Sequence, residues 1–328
     1  MTWQLFTGSD DDWDRTVTNL HNQSPYQTSA WATFRKFDGW TPIRLVSTNH
    51  KLAVQLLHRQ RWGLGVAWAP GGPVGDSSSR EVNDLHEYLR QQMSGIITYV
   101  RLTDFSAANE NSHEHYRHSG WRRPQKTLSS GLTLKRNLNS DPNLIRSTYT
   151  KNWARNLRRG EDRGIAALVW NAPDPTEIAN LHLSVAESKG ISTQDWRTSP
   201  LRIADVLRIF QRQLVVVRAV DQFGTTQAIR GAVLCGTTGF DFLAATSIEG
   251  RKTYASNVAL HFLLAELAGR GAVTYDFGGV DPIENKGVYD FKHGAGGLEQ
   301  AYVGEFENSY PRFVRPILST LIAFRVAT

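Results

Sequence analysis

The sequence is poorest in sulfur: 328 residues include two methionines and a single cysteine, Cys235. One thiol rules out an intrachain disulfide framework and a cysteine-rich metal site. A reducing cytoplasm suits that count. Cys235 lies in an apolar, strand-like run and reads as structural. No window reaches the ~18 uninterrupted apolar residues that a membrane span needs. Met1-Thr2-Trp3-Gln4 lacks the basic and apolar parts of a signal peptide. The ten histidines show no His-Glu-x-x-His spacing, so no metal is expected, and His113 and His115 read as an exposed helix. No serine has a Gly-x-Ser-x-Gly setting, which argues against a serine nucleophile.

Basic charge and glycine are in better supply. The net charge of +6, with a pI near 9.5, suits an acidic partner such as nucleic acid, a nucleotide diphosphate or an anionic membrane surface. The length favours two domains, and 40% apolar residues suffice for two cores. Glycines concentrate in one place. Tyr275-Asp276-Phe277-Gly278-Gly279 ends an apolar strand, and a lysine-bearing segment follows through Asp290-Phe291-Lys292-His293-Gly294-Ala295-Gly296-Gly297. Such density implies a sharp turn or a close backbone approach.

Apolar periodicity gives an order of elements along the chain. Strands are expected over 3–6, 43–46, 52–57, 64–68, 96–102 and 121–134, with helices from Ser9 to about Leu20 and over 29–37, 82–93 and 113–119. The second half repeats that order. A strand over 165–170 precedes helices over 174–189 and 200–211, then strands over 214–220, 228–235 and 240–245. A helix apolar on all sides follows over 257–268, then a strand over 272–277, the lysine segment and a strand over 301–306. Tyr116 to Trp121 and Asp290 to Ala295 occupy matching places in the two copies. The pattern indicates a duplicated α/β unit with mixed sheets, resembling two tandem N-acetyltransferase-like domains. The expected division is 1–140 and 141–308, with 309–328 packing back on the first domain and a cleft near the junction. The apolar 316–327 segment is expected as a docked, or less strongly an interfacial, helix.

Four stretches carry a family resemblance. They are Gln27-Thr28-Ser29-Ala30-Trp31 with Phe34-Arg35-Lys36 and Gly39-Trp40, then Ala69-Pro70-Gly71-Gly72-Pro73-Val74, the basic run Arg155 to Ile165, and the glycine–lysine stretch. Together they resemble the Fem-type (FemABX) aminoacyl transferases, with Gly71 where that family often has arginine. No sustained heptad run is present, so the chain is similar to compact members without a coiled-coil arm. The resemblance implies transfer of an aminoacyl group from aminoacyl-tRNA to an amine. In the best-known members the amine belongs to the stem peptide of a peptidoglycan precursor that carries a nucleotide or lipid diphosphate. It also implies a cytoplasmic monomer, without a cofactor beyond aminoacyl-tRNA as co-substrate, in peripheral contact with the inner membrane surface.

An aminoacyl ester is already activated, so the enzyme has to align an amine, move a proton and offset oxyanion charge. Lys292 is the first catalytic candidate, because a fixed cation can stabilise that oxyanion or hold the tRNA terminus; the matching lysine has such a role in the family. Phe291 packs on the terminal adenosine or fills core. Lys151, Arg155, Arg158 and Arg159 share one helical face at i, i+4, i+7 and i+8, opposite Trp153 and Leu157. Their mutual repulsion is relieved by phosphate, or by carboxylates such as Asp162. Arg35 and Lys36 are candidates for a precursor's diphosphate, since the family places a basic residue there, and Arg197 is a further one by position. Tyr254 either orients the acceptor or is structural. Asp104 is a candidate base only if burial raises its pKa from near 3.9, with transfer through water or substrate equally open. Asp276 is expected to brace the Gly278-Gly279 turn.

Two other acceptors or donors fit the same fold. One is a small-molecule amine of a secondary-metabolite pathway. The other is acyl-CoA, although Glu249 to Ser256 lacks the glycine-rich pyrophosphate turn and prolines interrupt 70–75. A non-catalytic basic module that binds RNA or glycolipid is the reading from another class.

Overall fold

The computed structural model describes residues 2–76, 81–93, 95–109, 112–139, 141–190 and 192–327. The chain forms two compact units, one from Met1–Thr133 with Gln300–Thr328 and the other from Leu134–Glu299.

The first unit opens with β1 (Trp3–Leu5), α1 (Asp10–Asn19), α2 (Ser29–Lys36), β2 (Thr41–Ser47), β3 (Leu52–Arg61), β4 (Leu64–Pro70) and β5 (Val74–Gly75). After these come α3 (Val82–Gln92), β6 (Ile97–Ala107) and α4 (Ser112–His118). α1 starts where the sequence provides a stop for its orphan amides: Ser9 accepts from the Asp12 amide, and Asp12 returns a bond to the Ser9 amide. β7 (Leu132–Asn137), α5 (Pro142–Ser147), α6 (Lys151–Asp162), β8 (Ala166–Val169), α7 (Pro175–Lys189) and α8 (Pro200–Ile209) lead through the second unit. It continues with β9 (Leu214–Val220), β10 (Thr226–Cys235), β11 (Thr238–Thr246), α9 (Ile248–Lys252), α10 (Ala255–Gly269), β12 (Thr274–Gly279) and α11 (Lys286–Gly294). β13 (Leu298–Tyr310) and α12 (Arg315–Ala327) close the chain.

Each unit has the same plan. In the first, β1, β2, β3 and β4 are antiparallel neighbours and β4 then pairs in parallel with β6, which α4 follows. In the second, β8, β9, β10 and β11 are antiparallel neighbours and β11 pairs in parallel with β12, which α11 follows. The duplicated, acetyltransferase-like α/β architecture read from the order of elements is the one observed. The first core gathers Leu45, Leu56, Val100, Tyr116, Trp121 and Phe306, among others. The second rests on α10, whose Leu260, Leu263, Leu264 and Leu267 are fully buried against the sheet.

Two expectations need correction. Residues 121–131 are not strand. The Leu128 and Ser129 amides donate to the Glu305 carboxylate at 2.6 Å each, so side-chain oxygen replaces the ladder partner. The final strand was expected in the second domain, yet from Gln300 it belongs to the first unit. The reason is its long antiparallel pairing with β6, from Tyr302–Ala107 to Tyr310–Thr98. α12 is in the same unit, where Ser319 Oγ accepts from the Gln125 amide at 3.1 Å.

Candidate functional site

The second unit assembles its candidate site where two parallel strands part. β11 and β12 pair only through Thr238–Thr274, Gly239–Tyr275 and Phe240–Asp276, a short stretch of two longer strands. Beyond it the chain turns at Gly278, whose φ of +72° suits glycine, and the Asp276 carboxylate accepts from the Gly278 amide at 2.8 Å. This is the brace expected for Asp276, which also lies 3.6 Å from Lys135 Nζ. α11 then returns the chain and presents Lys292.

Lys292 is buried and donates from Nζ to the Gly279 carbonyl at 3.1 Å. Burial lowers its pKa below 10.5; Asp241 opposes that shift, Arg230 adds to it and Asp276 opposes it. A buried ammonium with one carbonyl partner retains donors for another acceptor. Phe291, its neighbour, is half-buried against Trp153, with ring centroids 5.9 Å apart.

α6 presents its charges as its sequence period requires. Trp153, Leu157 and Gly160 are buried, while Lys151, Arg155, Arg158 and Arg159 are exposed on the other side. Gly160 permits the close seat: a Cβ there would stand 2.7 Å from Val258 Cγ2 and 3.2 Å from the Thr253 carbonyl. Arg159 Nη1 lies 3.4 Å from the Tyr254 hydroxyl, and the Arg163 guanidinium covers the Tyr254 ring at 5.1 Å. Tyr254 is the N-cap of α10 in a left-handed conformation, φ +59°. The structure therefore joins Arg159 to Tyr254, and Phe291 to Lys292. Arg155 bonds Asn152, and Arg197 pairs with Asp195 at 2.8 Å and lies over Trp196.

Arg35, Lys36 and Asp104 belong to the first unit. Arg35 is half-buried, 3.2 Å from Asp38, and Lys36 is exposed. Two of the sequence stretches meet here: Gln27 donates to the carbonyls of Pro70 (2.9 Å) and Gln55 (3.1 Å) and accepts from the Gln55 amide. Asp104 is fully buried and accepts from the Tyr116 hydroxyl and the Ser106 amide, each at 2.8 Å. That geometry spends the carboxylate on bracing β6 against α4.

Sequence reading passed over Arg230 and Asp241, which bear on Lys292 directly. The signal was available, since each interrupts an apolar strand, at Ala-Ile-Arg-Gly-Ala and Gly-Phe-Asp-Phe-Leu. Among the described residues no group of three or more metal-ligating side chains occurs, and no helix is long and apolar enough to cross a membrane.

No protein-family model matches the sequence, and no curated protein is similar to it by sequence. Solved structures are similar to it in fold. FemX superposes with a TM-score of 0.81 over 93% of this chain and 96% of its own, at 14% identity. The C-terminal domain of a lysylphosphatidylglycerol synthetase from Agrobacterium fabrum gives 0.54, over 92% of each chain at 12% identity. A tandem GNAT protein from the clavulanic acid pathway gives 0.53, over 94% and 98% at 11% identity. At these identities the likeness establishes the fold: the chain is folded as FemX is, with two acetyltransferase-like units.

Proposed function

We propose that this protein is an acyltransferase that takes an aminoacyl group from aminoacyl-tRNA and forms an amide bond on an amine. The acceptor we favour is the stem peptide of a nucleotide- or lipid-diphosphate-linked peptidoglycan precursor. The reading rests above all on Lys292, a buried ammonium held at a glycine turn where parallel strands diverge. In the reaction the amine nitrogen attacks the ester carbonyl, giving a tetrahedral oxyanion; collapse breaks the bond to the ribose oxygen. The amine's proton passes to that oxygen through substrate or water. Lys292 offsets the oxyanion charge at the moment it forms. Lys151, Arg155, Arg158 and Arg159 offer phosphate contacts to the tRNA, and Arg159 with Tyr254 borders the same helix. Phe291 stacks on the terminal adenosine, Arg197 is the second unit's candidate for the acceptor's diphosphate, and Arg35 and Lys36 are those of the first unit. No cofactor is required.

The test is incubation with a panel of charged tRNAs and peptide-bearing precursors, read by product mass with and without nuclease. Product that disappears on nuclease treatment supports the reading. Nuclease-insensitive transfer from acyl-CoA replaces tRNA with CoA as donor, and transfer to small amines alone replaces the acceptor.

A further inference from the structure

Two charged side chains in the second unit have no role in the reaction so far described. Arg230 on β10 and Asp241 on β11 are 9% and 10% exposed. Removing ions from water costs several kcal/mol each unless they are well paired, so a core needing only volume there would use an apolar residue. Both are fastened by more than each other. Arg230 Nη1 lies 3.4 Å from Asp241 Oδ2, and its Nη2 donates to Ser256 Oγ, in the first turn of α10, at 2.9 Å. The Tyr275 hydroxyl, on β12, donates to Asp241 Oδ1 at 2.9 Å. The guanidinium lies over the Phe291 ring, 4.9 Å from its centroid. Its Nε is buried without a hydrogen-bond partner.

We propose that Arg230 and Asp241 are the positioning pair of this site: anchored by Ser256 and Tyr275, they seat Phe291 and set the electrostatic surroundings of the Lys292 ammonium. Phe291 precedes Lys292 on α11, so whatever fixes the ring fixes the lysine's approach. Among the described residues, the charged and titratable groups on the elements around Lys292 include Tyr289, which donates to Glu299 at 2.6 Å, Arg136, which donates to the Ala295 carbonyl, and Lys151, Arg155, Arg158 and Arg159 on the exposed side of α6. Arg230, Asp241 with Tyr275, and Asp276 with Lys135 lie on the sheet; Lys286, Asp290 and the exposed His293 lie on α11 itself, the first two paired at 2.7 Å. Burial depresses the lysine's pKa most, and Asp241 and Arg230 act with opposite signs.

That opposition gives a test a passive brace does not share. It rests on the reading of Lys292 as the group that bears charge in the reaction. Lys292 is acylated with acetic anhydride across a pH series in the full-length protein, and the midpoint of its reactivity is read by peptide mass. Asp241→Asn removes a negative charge and moves the midpoint down; Arg230→Met removes a positive charge and moves it up, each by about one pH unit. Arg230→Lys keeps the charge and stays near the wild-type midpoint. In the transfer assay Arg230→Met lowers kcat about tenfold and leaves the acceptor's KM within about twofold. Shifts of the same sign in Asp241→Asn and Arg230→Met overturn the proposal. So do unmoved midpoints accompanied by a lower melting temperature, the signature of bracing alone. Opposite midpoint shifts in a protein that transfers nothing from any charged tRNA uphold the pair and refute the tRNA reading instead.

Discussion

Lys292 carries a desolvation cost that its proposed role in the reaction would explain. It is buried, and burial depresses its pKa, so a neutral side chain of similar length relieves the protein of a desolvated charge. Lys292→Met therefore lowers turnover about a hundredfold, with acceptor KM little changed, while the melting temperature holds or rises. Turnover at the wild-type rate removes the lysine from the reaction. Three histidines withdraw stability on the acid side. Burial foremost, aided by Arg197, lowers the His182 pKa to about 4, and burial also lowers His86 and His261 to about 4. A folded-state pKa below the ordinary 6.5 means the unfolded chain binds protons first as pH falls. These groups thus leave stability intact above about 6.5 and withdraw it between about 6.5 and about 4. Urea unfolding at a series of pH values shows that loss, and His182→Leu, which removes one titrating group, makes the slope shallower.

α6 is the element on which the polyanion reading stands. Its buried edge needs glycine at position 160, since a methyl there meets Val258 and the Thr253 carbonyl. Gly160→Ala costs roughly 1–3 kcal/mol in urea unfolding by overpacking. Arg155→Gln with Arg158→Gln leaves that seat untouched, because both side chains are exposed. If both contact phosphate in an unpaired stretch, the slope of log affinity for charged tRNA against log salt falls by roughly 1.4, at ~0.7 for each charge. Periodicity made this helix legible, because four cations and two large apolar residues fall on opposite sides of a 3.6-residue repeat. The same logic exposed the antiparallel strands, α10 and the glycine turn. It failed where backbone groups find partners far along the chain. Nothing in Trp121 to Gly131 announces that Glu305 satisfies the amides of Leu128 and Ser129 in place of a strand partner. It missed α5 as well, although Asp141 before Pro142 is a capping signal: the Asp141 side chain accepts from the Asn143 amide. The turn beside Lys292 was legible from its glycines, and the lysine itself was singled out through the family resemblance and the internal repeat. Arg230 and Asp241 were not singled out, because a charge within a strand declares its partner only once neighbouring strands are in register.

At the scale of the chain, the first unit is discontinuous and the second is not. Residues 300–328 complete the first unit from far downstream, and β13 brings two carboxylates that its upstream part lacks. Glu305 accepts from Arg101 Nε at 2.6 Å, with both side chains almost wholly buried. Glu307, also buried, accepts from the Tyr99 hydroxyl at 2.6 Å, and Arg315 stands 3.2 Å from it. Removing one partner of a buried pair costs about 3–5 kcal/mol, because the other charge is left without compensation. Loss of β13 also strips β6 of its antiparallel neighbour and uncovers an edge. A chain ending at Glu299 is therefore expected to lose the first unit while the second, contiguous over Leu134–Glu299, keeps its internal pairing. Limited proteolysis of that truncated chain should degrade residues before about 134 and leave a protected fragment matching the second unit, identified by mass. Full-length protein under the same conditions should protect both units. Retention of the first unit in the truncated chain would mean that β13 and its carboxylates are dispensable to it, and that its core alone offsets an unpaired Arg101.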